Sequence, residues 1–229
     1  MPASYAKTLL IGTTTQNPPF SSIADQKENF YGFDIDIMGE VCRRIKASCK
    51  FKPYVFSEIN TALQTEKIDL AIAAIIITDE REKEFLFSIP YLQSLAQFIS
   101  IQQSNINNPQ DIRNKRVGVR RGTPFEALTR KIYNNQITIS NLPEVPDLLD
   151  ALNQKKIDVA ITNSAAAKYW CSNNSNIYKL IGSSIPIGKG YGIMANKEQT
   201  PLVEQINQAL LNMEADGTYL NIYTRYFEL

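Results

Sequence analysis

Apolar residues in this chain keep two different spacings, and the alternation between them outlines its elements. At Phe33, Ile37, Val41 and Ile45 they recur every fourth position with polar residues between, the period of a helix with one buried face. Asp34 and Asp36 stand in the first turn of that helix and Arg43, Arg44 and Lys46 in its last, as the helix dipole favours. The flanking segments lack that period. Thr8–Thr14 before it and Cys49–Phe56 after it read as strands, and Gln16–Phe20, with two prolines, closes the first of them. A short helix over Glu58–Thr65 then leads to a fully buried strand at Ile68–Ile75. Strand, helix, strand, helix, strand at this spacing predicts a parallel α/β sheet.

The pattern begins again with new material. Leu95–Gln102 reads as a strand leaving the first sheet, and Asn105–Gln110 as a polar turn. Arg116–Arg120 is a strand, Gly122-Thr123-Pro124 a corner, and a helix follows to about Asn134. Strands at Ile137–Leu142 and Ile157–Thr162 flank a helix at Val145–Gln154. A late strand, Tyr191–Asn196, precedes a long amphipathic helix over Pro201–Asp216 that ends at Gly217. This order predicts two lobes joined by two crossings: residues 1–94 with 192–229, and residues 95–191. Open α/β sheets bind ligands beyond the carboxyl ends of their strands, so two facing lobes place the site in the cleft between them.

Composition narrows the chemistry. The 229 residues hold 24 Lys and Arg against 23 Asp and Glu, without the basic excess of a nucleic-acid binder. Histidine is absent, which excludes Ser-His-Asp and Cys-His nucleophiles and every His-containing zinc site. Three cysteines cannot make a cysteine-only zinc tetrad, and no cofactor is expected. The longest apolar run, Leu70–Ile77, is far short of the roughly 18 residues of a spanning helix. Met1-Pro2-Ala3 runs almost directly into the first strand without a signal peptide, which says little about the cellular address.

Several short motifs then line up in order. They are Gly12…Pro19-Phe20, Gly32-Phe33-Asp34-Ile35-Asp36, Lys67-Ile68-Asp69 and Ile77-Thr78-Asp79-Glu80-Arg81. Further on come Phe87-Ser88…Pro90-Tyr91, Val117-Gly118-Val119…Gly122-Thr123, Ile157-Asp158, Tyr191-Gly192-Ile193 and Asp216-Gly217-Thr218-Tyr219. Each is weak alone; together they make the chain, from Leu9 to Phe227, resemble the periplasmic substrate-binding proteins of polar amino-acid ABC importers. That cluster holds lysine/arginine/ornithine-, histidine- and glutamine-binding proteins. The resemblance implies a two-lobed periplasmic binding protein fold of type II, closing on an amino acid in the cleft and delivering it to an ABC permease.

Candidate site residues follow partly from the chain and partly from this likeness. Arg81 sits in the charge run Asp79–Glu84, which by itself reads as a solvated helix face. The resemblance makes it the residue that grips the cargo α-carboxylate, through two parallel hydrogen bonds that Lys cannot reproduce. Thr123 reads as a strand–helix corner and, by resemblance, as a second carboxylate contact from the opposite lobe, next to a helix N-terminus with free N–H groups. Ala74 and Ile76 read as core, yet match positions whose backbone touches the cargo. Phe56, also core by pattern, matches an aromatic wall against the cargo side chain.

Departures from the family pattern concern charge. Asn163 stands where a carboxylate usually meets the α-ammonium, Thr14 replaces another pocket Asp, and Asn17 replaces an aromatic lid. Glu144 is the acid available to compensate, or else a surface acid opening a helix. Arg120 matches a Lys of glutamine-binding relatives and an uncharged residue of the basic-amino-acid binders. A cationic wall repels a cationic side chain, so polar neutral or acidic cargo is favoured over basic. The likeness also implies a Cys42–Cys49 disulfide with Cys171 free, an oxidising compartment such as the periplasm, and a monomer. A cyclohexadienyl dehydratase-like enzyme and the sensor module of a membrane receptor use the same fold and are the alternatives.

Overall fold

The computed structural model describes residues 8–24, 29–134 and 136–227. Two five-stranded sheets carry the chain, and they are built alike. In the first, Ser48–Pro53, Thr8–Thr13 and Leu70–Ala71 run parallel, and Met194–Asn196 and Phe85–Phe87 complete it antiparallel. In the second, Thr138–Leu142, Arg116–Arg120 and Val159–Asn163 run parallel, with Leu95–Ile101 and Tyr178–Pro186 antiparallel beyond them. The expected parallel strands are present, but each sheet is mixed and not parallel throughout. Each sheet gains antiparallel strands because the chain leaves one lobe and re-enters it by a direct crossing instead of a helical crossover.

The helix predicted from the four-residue period spans Phe33–Arg44 and buries Phe33, Ile37, Met38 and Val41. Its C-terminal turn is tied to the strand that follows by the Cys42–Cys49 disulfide, while Cys171 is free and buried. Phe33 anchors more than its own helix. It meets the C-terminal helix Thr218–Phe227 at ring-centroid distances of 4.8 Å to Phe227 and 6.2 Å to Tyr219, and Tyr91 at 6.1 Å. That helix, the helix Ser164–Asn173 and the strand Tyr178–Pro186 have no counterpart in the sequence reading.

The segment expected as a buried strand at Ile68–Ile75 pairs over Leu70–Ala71 alone. Ile72–Ile77 is buried as predicted, but Ala74 takes the left-handed conformation, φ 48°, and turns the chain out of the sheet. Continuous apolar sequence signals burial, and here the buried element is a turn. The late strand expected from Tyr191 begins only at Met194, because Tyr191 belongs to the crossing.

Two segments join the sheets, from Phe87 to Leu95 and from Pro186 to Met194, and they bond to each other. Tyr91 N–H donates to Tyr191 O at 2.9 Å and Tyr191 N–H to Leu92 O at 2.8 Å. Gly190 has φ 113°, and a β-carbon there would lie 2.6 Å from Pro90 Cβ, so a side chain would part the two crossings. A three-stranded ribbon, Gln16–Asn17, Ser21–Ile23 and Phe30–Tyr31, lies on the first sheet's side, with Gln16–Asn17 against the helix Val145–Asn153 of the second.

Candidate ligand site

The turn at Ile72–Ile77 is shaped by an acid that sequence reading did not single out. Asp34, second in its helix and wholly buried, accepts a hydrogen bond from Ala74 N–H at 2.6 Å and one from the Tyr91 hydroxyl at 2.9 Å. Burial pushes its carboxyl up to about 7 against the opposing pull of these donors and of Arg120. Asp34 thus joins the left-handed Ala74 to the crossing. Its motif was legible, but its two partners lie 40 and 57 residues away.

Arg81 follows directly. Thr78 opens the helix Asp79–Glu84 and its hydroxyl accepts from Arg81 N–H at 3.3 Å. The side chain is half-buried and bonds in two directions: Nη1 donates to Ile76 O at 2.7 Å and Nη2 to Gly122 O at 2.9 Å. The first contact is within the Ile72–Ile77 turn and the second is across to the other sheet's corner. Burial, with Arg120 nearby, lowers the Arg81 pKa to about 10. Arg81 and the Gly122–Thr123 corner are therefore brought together, and Arg81 is less solvated than its charge run suggested. The Thr123 hydroxyl donates to Arg120 O at 2.6 Å.

A second cluster surrounds Phe56. Arg120 lies with Cζ 4.0 Å from the Phe56 ring centroid, and Arg81 with Cζ 5.6 Å from it. Glu144, at the N-terminus of the helix Val145–Asn153, reaches across to accept from Phe56 N–H at 2.7 Å. Its other oxygen stands 3.6 Å from Arg120 Nη1. Glu144 therefore opens a helix, as one of its two readings had it, and it is half-buried against Phe56 and Arg120 instead of lying on the surface. Burial raises the Glu144 pKa and lowers that of Arg120, each opposed by the charge of the other.

The remaining predicted residues are buried but bond elsewhere. Asn163, last in its strand, donates from Nδ2 to the Tyr191 hydroxyl at 2.7 Å. Thr14 and Ser21 pair their hydroxyls at 2.9 Å. Asn17 is buried in the ribbon, and neither atom of its amide has a partner among the described residues. Tyr191, which burial holds well above the ordinary tyrosine range, joins Asn163 to the crossing. A cavity of about 560 Å³ opens elsewhere, flanked by Leu92, Tyr191, Tyr223 and Ser164, and none of the predicted site residues lines it. Among the described residues no three acidic or cysteine side chains converge as a metal site requires.

Comparison with known proteins gives this geometry a context. Residues 9–229 match the family described as bacterial extracellular solute-binding proteins, family 3. An arginine 3rd transport system periplasmic binding protein from Legionella pneumophila is 42% identical, with a TM-score of 0.93, covering 97% of this chain and 100% of that one. An ancestral arginine-binding protein bound to arginine is 31% identical, with a TM-score of 0.89, covering 97% of this chain and 99% of that one. The ABC transporter arginine-binding protein 1 of Escherichia coli strain K12 is 28% identical, over 98% of this chain and 93% of its own length.

Proposed function

The chain belongs to family 3 of the bacterial extracellular solute-binding proteins, a receptor of amino-acid ABC transport and not an enzyme, and we propose that its cargo is an amino acid held by its α-carboxylate between Arg81 and the Gly122–Thr123 corner. The observation that carries this reading is the Arg81 guanidinium, which already bridges the two sheets. A carboxylate taking up its two-pronged face would be gripped from both sides at once, and that couples binding to closure. Residues 1–94 with 192–229 form one moving lobe and residues 95–191 the other, with the paired crossings as the hinge. Backbone groups of Ala74 and Ile76 line the cargo on the first lobe. Thr123, Arg120, Asn163 and Glu144 line it on the second, and Phe56, Thr14 and Asn17 shape the far end.

The relatives' names point to arginine, whereas the charges on this chain favour a polar neutral or acidic amino acid. A guanidinium cargo needs a carboxylate free to meet it. Asp34 is committed to Ala74 and Tyr91, and Glu144 has one oxygen on Phe56 N–H and the other drawn to the Arg120 charge at 3.6 Å. Arg120 also covers the Phe56 ring on which a cationic side chain would stack. The receptor acts as a monomer in the periplasm, where its disulfide suits an oxidising milieu, and hands its cargo to an ABC permease. Titration calorimetry with the twenty amino acids tests the reading. Heat of binding from at least one of them, abolished by Arg81→Ala, is expected; silence from all twenty overturns it.

A further inference from the structure

The guanidinium of Arg120 is 1% exposed, yet two of its nitrogens, Nε and Nη1, meet no hydrogen-bond acceptor among the described residues. A buried cation with unmet donors is costly to keep, because the desolvation of each group is not repaid by a partner. Glu144 offsets the charge of Arg120 but leaves these two donors without an acceptor. Its nearer oxygen lies 3.6 Å from Nη1, beyond hydrogen-bond reach, and is itself unpartnered, while its other oxygen is taken by Phe56 N–H. Arg120 ends its strand and lies against the Phe56 ring, with Cζ 4.0 Å from the ring centroid.

A second cation lies on the same ring. Arg81 is drawn to Phe56 at 5.6 Å, and the two guanidinium groups repel each other. Besides Arg120 and Glu144, the buried polar atoms without a partner among the described residues are uncharged, Thr13 Oγ1, the Asn17 amide and Asn163 Oδ1 among them. The cleft thus offers two cations, one partly engaged acid and several neutral acceptors. From these residues we infer that Arg120 is a specificity-determining residue whose Nε and Nη1 receive a second anionic group, so that the cargo is an amino acid with a side-chain carboxylate. This rests on the proposed receptor reading and narrows it. The α-carboxylate goes to Arg81, the side-chain carboxylate to Arg120, and neutral oxygens such as Asn163 Oδ1 accept from the α-ammonium.

Charge balance supports that assignment over its competitors. With Asp34 protonated below about pH 7, a cargo of net charge −1 offsets the surplus cation of the Arg81, Arg120 and Glu144 set, a neutral one leaves it, and arginine doubles it. In a closed cleft the discrimination against one unpaired charge amounts to about a hundredfold or more. Shape works in the same direction, because Arg120 occupies the aromatic face that a long cationic side chain would use.

Calorimetry on the wild-type receptor with L-glutamate, L-aspartate, L-glutamine, L-arginine and 2-oxoglutarate tests this, repeated with Arg120→Leu and Arg120→Lys. Glutamate or aspartate is expected to bind at least about a hundredfold more tightly than glutamine and arginine. Arg120→Leu should remove that preference, and Arg120→Lys should keep the ranking with weaker binding, since the charge survives and the fork does not. Tighter binding of glutamine or arginine by the wild type overturns the inference and leaves the receptor reading standing. So does an acidic preference that survives Arg120→Leu. Binding of 2-oxoglutarate with no response to any amino acid overturns the amino-acid reading instead and supports the anion site at Arg120. The wild-type ranking alone decides the matter should Arg120→Leu fail to fold.

Discussion

The two walls of the cleft are made of different material. On the first lobe the wall is backbone: the Ile72–Ile77 turn, whose side chains are apolar and whose acid, Asp34, is hidden behind it. On the second lobe the wall is side chains, with Arg120 and Glu144 facing Phe56 and Asn163 tied to the crossing. On the proposed reading the first wall meets the cargo with backbone groups, which any residues can carry. The second wall presents charges, which differ from one cargo to another. On that reading the contrast lies in what selects: both lobes hold the common part of the cargo, through Arg81 and the Gly122–Thr123 corner, while the charge that discriminates among side chains comes from Arg120 on the second.

Substitutions can break that contrast, and the largest effect is expected at the residue that spans both walls. Arg81→Ala should weaken cargo binding by about a thousandfold or more, with Arg81→Lys recovering only part of it. Calorimetry checks this, and near-native affinity in Arg81→Ala would remove the residue from the site. Thermal unfolding of the same variant should change much less than binding does, because what the fold loses is two half-exposed hydrogen bonds and one edge contact to Phe56.

The next effect concerns the acid behind the backbone wall. Asp34 has a folded pKa of about 7 against an ordinary 3.8. A raised acid binds its proton more tightly in the folded state. Its contribution to stability is therefore complete below about pH 4 and is lost as the pH rises through 7. Over that window one such group changes stability by up to about 1.4 kcal/mol per pH unit. Asp34→Asn, in which the Tyr91 hydroxyl can turn to keep a partner, should flatten this part of the profile. Denaturant unfolding at several pH values between 5 and 8 measures it, and identical slopes for wild type and variant would reject the assignment.

Away from both walls, effects on stability and binding should separate. Removing the disulfide by Cys42→Ser with Cys49→Ser opens a short loop and should cost roughly 2–3 kcal/mol through the unfolded state. The helix and strand it joins lie outside the cleft residues, so the dissociation constant should stay within about twofold. A large loss of affinity without loss of stability would show that the Phe33–Arg44 helix transmits to the turn. The smallest effect is expected at Thr123→Ala, about tenfold in affinity. Thr123→Ser should restore it, since the hydroxyl and not the methyl makes the contact. An effect that Ser fails to restore would assign Thr123 to the corner's packing alone.

Much of this molecule is local and was legible as such. The four-residue period at Phe33–Ile45, the charges at that helix's two ends and the strand–helix alternation all act within a dozen residues, so the chain alone determined the α/β class and two similar sheets. The motifs supplied the family resemblance, the Cys42–Cys49 pair and a candidate list that contained Arg81, Arg120, Glu144 and Phe56. Tertiary structure alone decided how those residues pair. Arg81 finds Gly122 across 41 positions and Phe56 finds Glu144 across 88, and such meetings depend on which lobe each strand end joins. The same limit explains Ile68–Ile75, where apolar residues signalled burial but could not say that Asp34, far back in the chain, would bend the backbone there into a turn. Hydrophobic pattern records which positions leave water; which donors and charges then face one another is set only when distant segments pack together.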